Sequence, residues 1–533
     1  MKKFNKDEKY LYLAEGNQKI ARAMEISEIQ CNIDESTYKS KIVFESLDGE
    51  SEVLVNREEY LNKNKLINLQ SKGLDVTHNN INYLIEYFRE CEDNAKIVNT
   101  HSQLGFREYK GREIYRLSKA IGIESAYVGA CDVSQKGSRD TYINMLKKEV
   151  IGKVELEFAL ISGMSSILLG YVGEELGLDS TIIHLVGNST TGKSTALKLA
   201  ISCFGYPDVK KNGLYGTYNG TNNALIKKLV GLKGVPYALD EISMSNTTNF
   251  TKFVYSLANG TDKDRLNKNS ELREKESWLT TILSNGEKSL IRASNKNAGV
   301  QVRVIEIENL TWTKDAENAE SINKVILNNY GHLGIEFAEY LLNQEKSYVC
   351  KQYEKVKEAL YSKLDEKLMV DTMSVRRCNK FAIILQTALM IQDMLNIKFN
   401  LEGMVNMIIK IEQKSLSNRN FQTTAIDYIK HYVDKYRNKF ECDTNNNAFD
   451  VLGKIKQKND HIEVQMDKIS FKEMIEAGGY EDENVVLREL KKGGFLNCEK
   501  DRFTRSRKNS LGCNAEFIVV KIPKEKEKNL TNQ

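Results

Sequence analysis

The stretch that most constrains this chain is "TIIHLVGNSTTGKSTALKLAISCFG", residues 181–205. An apolar run enters a loop of glycine and small polar side chains. Beyond the loop, Leu197, Ala200, Ile201 and Phe204 recur at helical spacing. Gly205, with Pro207 two residues on, stops that helix. The pattern G-x-x-x-x-G-K-S between a strand and a helix is that of a phosphate-binding loop. Backbone N–H groups of Gly187, Asn188, Ser189, Thr190, Thr191 and Gly192, together with the helix N-terminus that Thr195 helps to open, would cradle phosphate oxygens. Lys193 would contact the β- and γ-phosphates, and Ser194 would offer its hydroxyl to Mg²⁺.

Strands and helices alternate from this loop to about residue 310, the pattern of an α/β unit with a largely parallel sheet. "GVPYALDE" is a short apolar run ending in Asp240 and Glu241. Asp240 would take the metal, and Glu241 would orient or deprotonate an attacking water. Pro236 cannot donate within a sheet ladder, so it is expected at the first residue of that strand. A third strand, "SWLTTILSNGE", carries Asn285 at its end, and a fourth, "GVQVRVIEIEN", carries Arg303 near its start.

In this order (lysine loop, acidic pair, polar strand end, arginine) the chain resembles the AAA+ ATPases. The resemblance makes these elements Walker A, Walker B, sensor 1 and the arginine finger, with ATP and Mg²⁺ as the cofactors. It implies that Arg303 reaches the γ-phosphate of a neighbouring subunit, so that hydrolysis requires a homo-oligomeric ring, a hexamer. "SVRRCNKFA" offers Arg376 or Arg377 as the sensor-2 arginine, with Arg376 preferred.

Between the acidic pair and Asn285 lies "LANGTDKDRLNKNSELREKESWL", in which two strand-like arms flank the turn "NKNS". A hairpin inserted there resembles that of MCM-like helicases and their superfamily-3 relatives. By that resemblance Lys268 stands at the tip and points into the pore, with Lys263 and Arg265 on the rising arm. Such contacts to phosphates carry no sequence information, which suits translocation on a single strand. "LANGTDKDR", "LSNGE" and "GVQVRVIEIE" are similar to signatures of the self-loading replicative helicases of staphylococcal cassette and pathogenicity-island elements and phages. The expected activity is therefore ATP-dependent DNA unwinding in replication of a mobile element. The alternative is an AAA+ initiator or loader switch that binds DNA without translocating.

The rest of the chain frames this motor. Residues 36–56 alternate apolar and polar around Asp48-Gly49, a hairpin signal, and Ile81, Leu84, Ile85 and Phe88 share one helical face. Short strand-like pieces follow from Ile97 to Val133. The expected organisation is a mixed α/β N-terminal domain over 1–135, an AAA+ P-loop motor with a helical region over 136–420, and a winged-helix domain over 421–533. The last rests on two helices around a glycine turn and two strands flanking the basic segment "EKDRFTRSRK". Arg502, Arg505 and Arg507 of that segment are the expected contacts to duplex or forked DNA.

Composition adds exclusions. With 77 basic and 73 acidic residues, the net charge of +4 says nothing by itself about nucleic acid. Nine cysteines without a C-x-x-C pair give no zinc or disulfide framework, and no run approaches the ~18 apolar residues of a membrane span. A cytoplasmic protein with no membrane partner is expected.

Overall fold

The computed structural model describes residues 3–524, apart from 248–249, 264–275, 295–297, 419–420, 443–449, 479, 481 and 509–512. Its buried apolar side chains form three clusters, spanning Phe4 to Phe88, Leu104 to Ile411 and Ala425 to Ile522.

The first cluster sits under a five-stranded sheet. Its strands are β1 (Met24–Asn32), β2 (Thr37–Glu45), β3 (Glu50–Asn56), β4 (Lys96–His101) and β5 (Ala126–Tyr127), in the order β5-β4-β1-β2-β3. The hairpin expected at Asp48-Gly49 is β2–β3, and Gly49 adopts the positive φ of 119° that its turn requires. Helix α1 (Ile81–Glu92) buries Ile81, Leu84 and Phe88 as the spacing implied, and the Tyr87 hydroxyl donates to the Met24 carbonyl. Asp34 fastens this sheet to the next segment. Its fully buried carboxylate accepts from the Ser102 and Gln103 amides and pairs with Arg107 and Arg116, which together hold it below the usual carboxylate range despite burial.

The central unit is a parallel sheet wrapped by helices. Helix α2 (Val154–Val172) leads to β6 (Thr181–Val186), α3 (Lys193–Ser202), β7 (Tyr215–Thr217) and β8 (Tyr237–Asp240). Then come α4 (Thr251–Asn259), β9 (Thr281–Gly286), α5 (Ala298–Arg303) and β10 (Val304–Glu308). The strand order is β7-β8-β9-β6-β10, and every pairing is parallel. All six residues of β6 are buried, which is why its sequence reads as a continuous apolar run. Pro236 immediately precedes β8, where its missing donor costs no ladder bond.

Six helices follow, among them α6 (Ala316–Ile326), α7 (Leu333–Leu342), α8 (Lys346–Tyr361), α9 (Thr372–Leu395) and α10 (Leu401–Asn418). Among the described residues, α2 is the one helix long and apolar enough to cross a bilayer, and 89% of its apolar window is buried inside the protein. It packs so closely that a Cβ on Gly170 would lie 2.4 Å from the Gly234 Cα. The buried Glu157 carboxylate at its start accepts from the Gly152 and Asn400 amides, at 2.8 and 2.9 Å.

The third unit contains α11 (Phe421–Lys435), β11 (Phe440–Glu441), β12 (Gly453–Gln457), β13 (His461–Met466), α12 (Lys468–Ala477), α13 (Glu483–Lys492), β14 (Arg505–Lys508) and β15 (Asn514–Pro523). Its sheet runs β11-β12-β13-β15-β14. Val486, Leu487 and Leu490 of α13 and Phe471, Met474 and Ile475 of α12 fill the space beneath it.

Candidate functional site

The phosphate-type loop joins β6 to α3 at the carboxyl end of the parallel sheet. Thr190 and Gly192 both adopt positive φ, 68° and 82°. At Gly192 a side chain is excluded twice over, because a Cβ would also stand 2.6 Å from the Thr313 hydroxyl. The loop is latched from outside by the Trp312 amide, which donates to the Thr191 carbonyl at 2.8 Å. Ser189 donates to Glu287, just beyond β9. Lys193 is 7% exposed and donates to the Gly187 and Asn188 carbonyls, at 2.8 and 2.6 Å, so its ammonium lies inside the curve of the loop. Thr195 accepts from the Asn323 amide of α6 at 3.0 Å.

Four residues, from the start of α3, the end of β8 with the residue after it, and β9, meet in one chain of hydrogen bonds. The Ser194 hydroxyl donates to Asp240 Oδ1 at 3.0 Å, and the Asn285 amide donates to that hydroxyl at 3.2 Å. The Asn285 side-chain oxygen accepts from the Glu241 backbone N–H at 2.7 Å. Parallel pairing explains the convergence: β8 and β9 end side by side, so the residue after one faces the end of the other. Glu241 itself has φ of +57°, a conformation that costs a non-glycine residue about 1–3 kcal/mol. Its carboxylate accepts from the Ser243 amide and so caps the turn that follows.

A fifth member had no signal in the sequence. The Tyr215 hydroxyl, from the edge strand β7, donates to Asp240 Oδ2 at 2.7 Å. Below this surface the buried His184 of β6 bonds Ser284 and the Lys288 carbonyl, at 2.8 and 2.9 Å, and burial holds its imidazole at about 4.

Arg303 needs correction. The alternation "GVQVR" reads as the start of a strand, but residues 298–303 form helix α5 and the strand starts at Val304. Local β propensity yields here to tertiary packing: Val300 is fully buried, and Arg377 of α9 donates to the Gln301 carbonyl at 3.1 Å. Arg303 is therefore a helix C-terminal residue, its guanidinium 4.4 Å from the Tyr255 ring centroid and donating to the Gly299 carbonyl. Arg376 is exposed on α9, whereas Arg377 is fully buried and paired with the fully buried Glu412 of α10 at 2.8 Å.

The pre-Asn285 hairpin is described only at its base. Thr261 bridges Ser277 in antiparallel fashion, the Asp262 amide donates to the Glu276 carbonyl at 2.9 Å, and the Trp278 amide donates to the Gly260 carbonyl at 2.8 Å. Lys263 continues one of these arms. Arg265 and Lys268 lie outside the described residues.

In the third unit, α12 is capped at Gly478 and followed in the chain by α13, and β14–β15 is an antiparallel pair. The three arginines placed on this segment are each engaged within the unit. Arg502 pairs with Glu516 at 3.0 Å, Arg505 donates to Asn497, and Arg507 pairs with the buried Glu463 at 2.9 Å.

Fold and site together define a multidomain α/β protein with a helix-turn-helix unit at its carboxyl-terminal side. A family model for a domain of unknown function, DUF927, matches residues 1–277, more than half of the chain, and the chain belongs to that family. A second model, the Cch helix turn helix domain, matches residues 420–525. The solved structure of SCCmec type IV Cch, an active helicase, is similar with a TM-score of 0.80, over 98% of this chain and 98% of that one. At 24% sequence identity the likeness establishes a shared fold across the whole length. No curated protein matches the chain.

Proposed function

We propose that this chain is an ATP- and Mg²⁺-dependent DNA helicase of a mobile genetic element, working as a homo-oligomeric ring. The observation that carries the reading is the convergence of Ser194, Asp240, Asn285 and the Glu241 backbone at the mouth of the loop. The strand order β7-β8-β9-β6-β10 resembles that of AAA+ motors, with the loop on an interior strand. Likeness to an active helicase over nearly the full length, and the Cch-type helix-turn-helix unit, support DNA as the partner.

The residues present fit both ligands. Loop amides at the start of the ten-residue helix α3 suit phosphate. One carboxylate and one hydroxyl 3.0 Å apart are hard oxygen donors of the kind a Mg²⁺ held partly by phosphates uses. Mg²⁺, when bound, neutralises charge on the β- and γ-phosphate oxygens. Lys193 would exchange its two carbonyl partners for phosphate oxygens, and Ser194 and Asp240 would hold the cation. Glu241 would leave its cap on Ser243 to orient the attacking water, while Asn285 fixes the backbone beneath it. Arg303 would act across a subunit boundary, and Lys268 would grip the DNA backbone in the pore.

The test is strand displacement on a forked DNA with ATP, using the wild type and Lys268→Ala. Unwinding by the wild type, and its loss in Lys268→Ala with basal ATPase retained, is the expected outcome. ATPase activity and DNA binding without any unwinding by the wild type would replace the helicase with a non-translocating switch.

A further inference from the structure

The site contains a group that the helicase reading leaves without a task. Asp240 is approached from two sides: Ser194 donates to Oδ1 and the Tyr215 hydroxyl to Oδ2. Tyr215 comes from β7, a three-residue edge strand paired with β8 so that Tyr215 lies beside Ala238 and Thr217 beside Asp240. Its ring is 2% exposed and lies under the Lys198 ammonium, 5.7 Å from the centroid, which Asp208 anchors at 2.7 Å. The hydroxyl is thus aimed by a packed ring, not by a mobile side chain.

We infer that Tyr215 is a positioning residue that fixes the Asp240 carboxylate for one-oxygen binding of Mg²⁺ and so tunes the site for Mg²⁺ over Ca²⁺. The inference rests on the nucleotide-site reading above. A carboxylate whose Oδ2 already accepts from a fixed phenol is held with Oδ1 as the oxygen offered to a cation, and binding through both oxygens is disfavoured. Mg²⁺ needs a small, rigid octahedral set of oxygens, whereas Ca²⁺ takes six to eight and often binds both oxygens of a carboxylate. Partners that orient a metal ligand are commonly worth about 10- to 100-fold in metal affinity.

The experiment measures binding of a fluorescent ADP analogue to the full-length chain in EDTA, in Mg²⁺ and in Ca²⁺. The proteins are wild type, Tyr215→Phe, Asp240→Asn and Lys193→Ala. Tyr215→Phe keeps the ring and its packing while deleting the donor. Its affinity in EDTA should match wild type, its gain in affinity from Mg²⁺ should fall about 10-fold, and its preference for Mg²⁺ over Ca²⁺ should narrow. An unchanged Mg²⁺ gain and Mg²⁺/Ca²⁺ ratio in Tyr215→Phe, with the gain lost in Asp240→Asn, overturns the inference and leaves the site intact. A Tyr215→Phe protein that also loses binding in EDTA assigns the residue to the core and overturns it as well. Should Lys193→Ala bind the analogue as tightly as wild type, the nucleotide-site reading itself fails.

Discussion

Replacing Arg377 by methionine should loosen the helices that close over the sheet. The guanidinium is fully buried, pairs with the equally buried Glu412 at 2.8 Å, and donates to the Gln301 carbonyl and the Ser415 hydroxyl at 3.1 and 2.8 Å. Removing one partner of a buried pair leaves the other charge uncompensated and costs about 3–5 kcal/mol. Losing the bonds to Gln301 and Ser415 adds to that, so about 4 kcal/mol is a conservative total. The described residues form three buried clusters, so a single global midpoint is not a clean measure. Native-state hydrogen exchange resolves the effect locally: amide protection in α5, α9 and α10 should fall by about 1000-fold, since each 1.4 kcal/mol is tenfold. The pair Arg377→Met with Glu412→Leu should recover most of the loss, because apolar replacement of a whole buried pair is often neutral or stabilising. A loss of protection under about tenfold in the single variant, or a double variant no better than the single, would refute the reasoning.

Lys193→Ala should lose nucleotide binding, while Glu241→Gln should bind nucleotide and fail to hydrolyse it; wild-type turnover by Glu241→Gln would remove it from the chemistry. Arg303→Ala should bind ATP normally and hydrolyse it poorly, by a factor of about 10³ or more if it acts as a finger between subunits; steady-state ATPase with parallel binding isotherms decides this. Acid should unfold the central unit through His184. Burial holds its folded value at about 4 against an ordinary 6.5, so between these the unfolded chain binds a proton that the folded chain refuses. That stability is complete above about pH 6.5 and declines as pH falls toward 4, by up to about 3 kcal/mol, and native-state hydrogen exchange of the β6 and β9 amides across this window should show a steeper slope in wild type than in His184→Gln.

Legibility tracked how local each signal was. The loop, the acidic pair and Asn285 sit on contiguous strand–loop patterns, and parallel pairing then brings Ser194, Asp240 and Asn285 within hydrogen-bond reach. Tyr215 was illegible because β7 has three residues and its hydroxyl meets Asp240 only through sheet register. Arg303 was misplaced because two alternating valines outweighed contacts from α9, whose Arg377 lies 76 residues downstream of Gln301. Sequence also could not separate Arg376 from Arg377. Adjacent helical positions differ by about 100° in direction, and that rotation sends one to solvent and the other into an ion pair. The basic segment near β14 read as a DNA-contacting surface, while the carboxylates that engage two of its arginines come from β13 and β15.

The buried α2 helix has a consequence for how this chain is made. Its carboxylate staple, Glu157, closes on the Asn400 amide 243 residues later, and although α3 packs on it from nearby in sequence, its neighbours on β9 and α9 are distal. At a synthesis rate of roughly 5–20 residues per second, that partner is made some 10–50 s after the helix. For that interval the ribosome displays a 19-residue segment that, by length and composition, suits a lipid bilayer as well as it suits this core. Glycine at 163 and 170, required for close packing in the finished fold, gives it little protection meanwhile. Productive synthesis thus depends on a holding factor or on α3, its early neighbour in sequence, shielding the helix, and the yield of folded chain becomes a race between translation and misdirected insertion or aggregation.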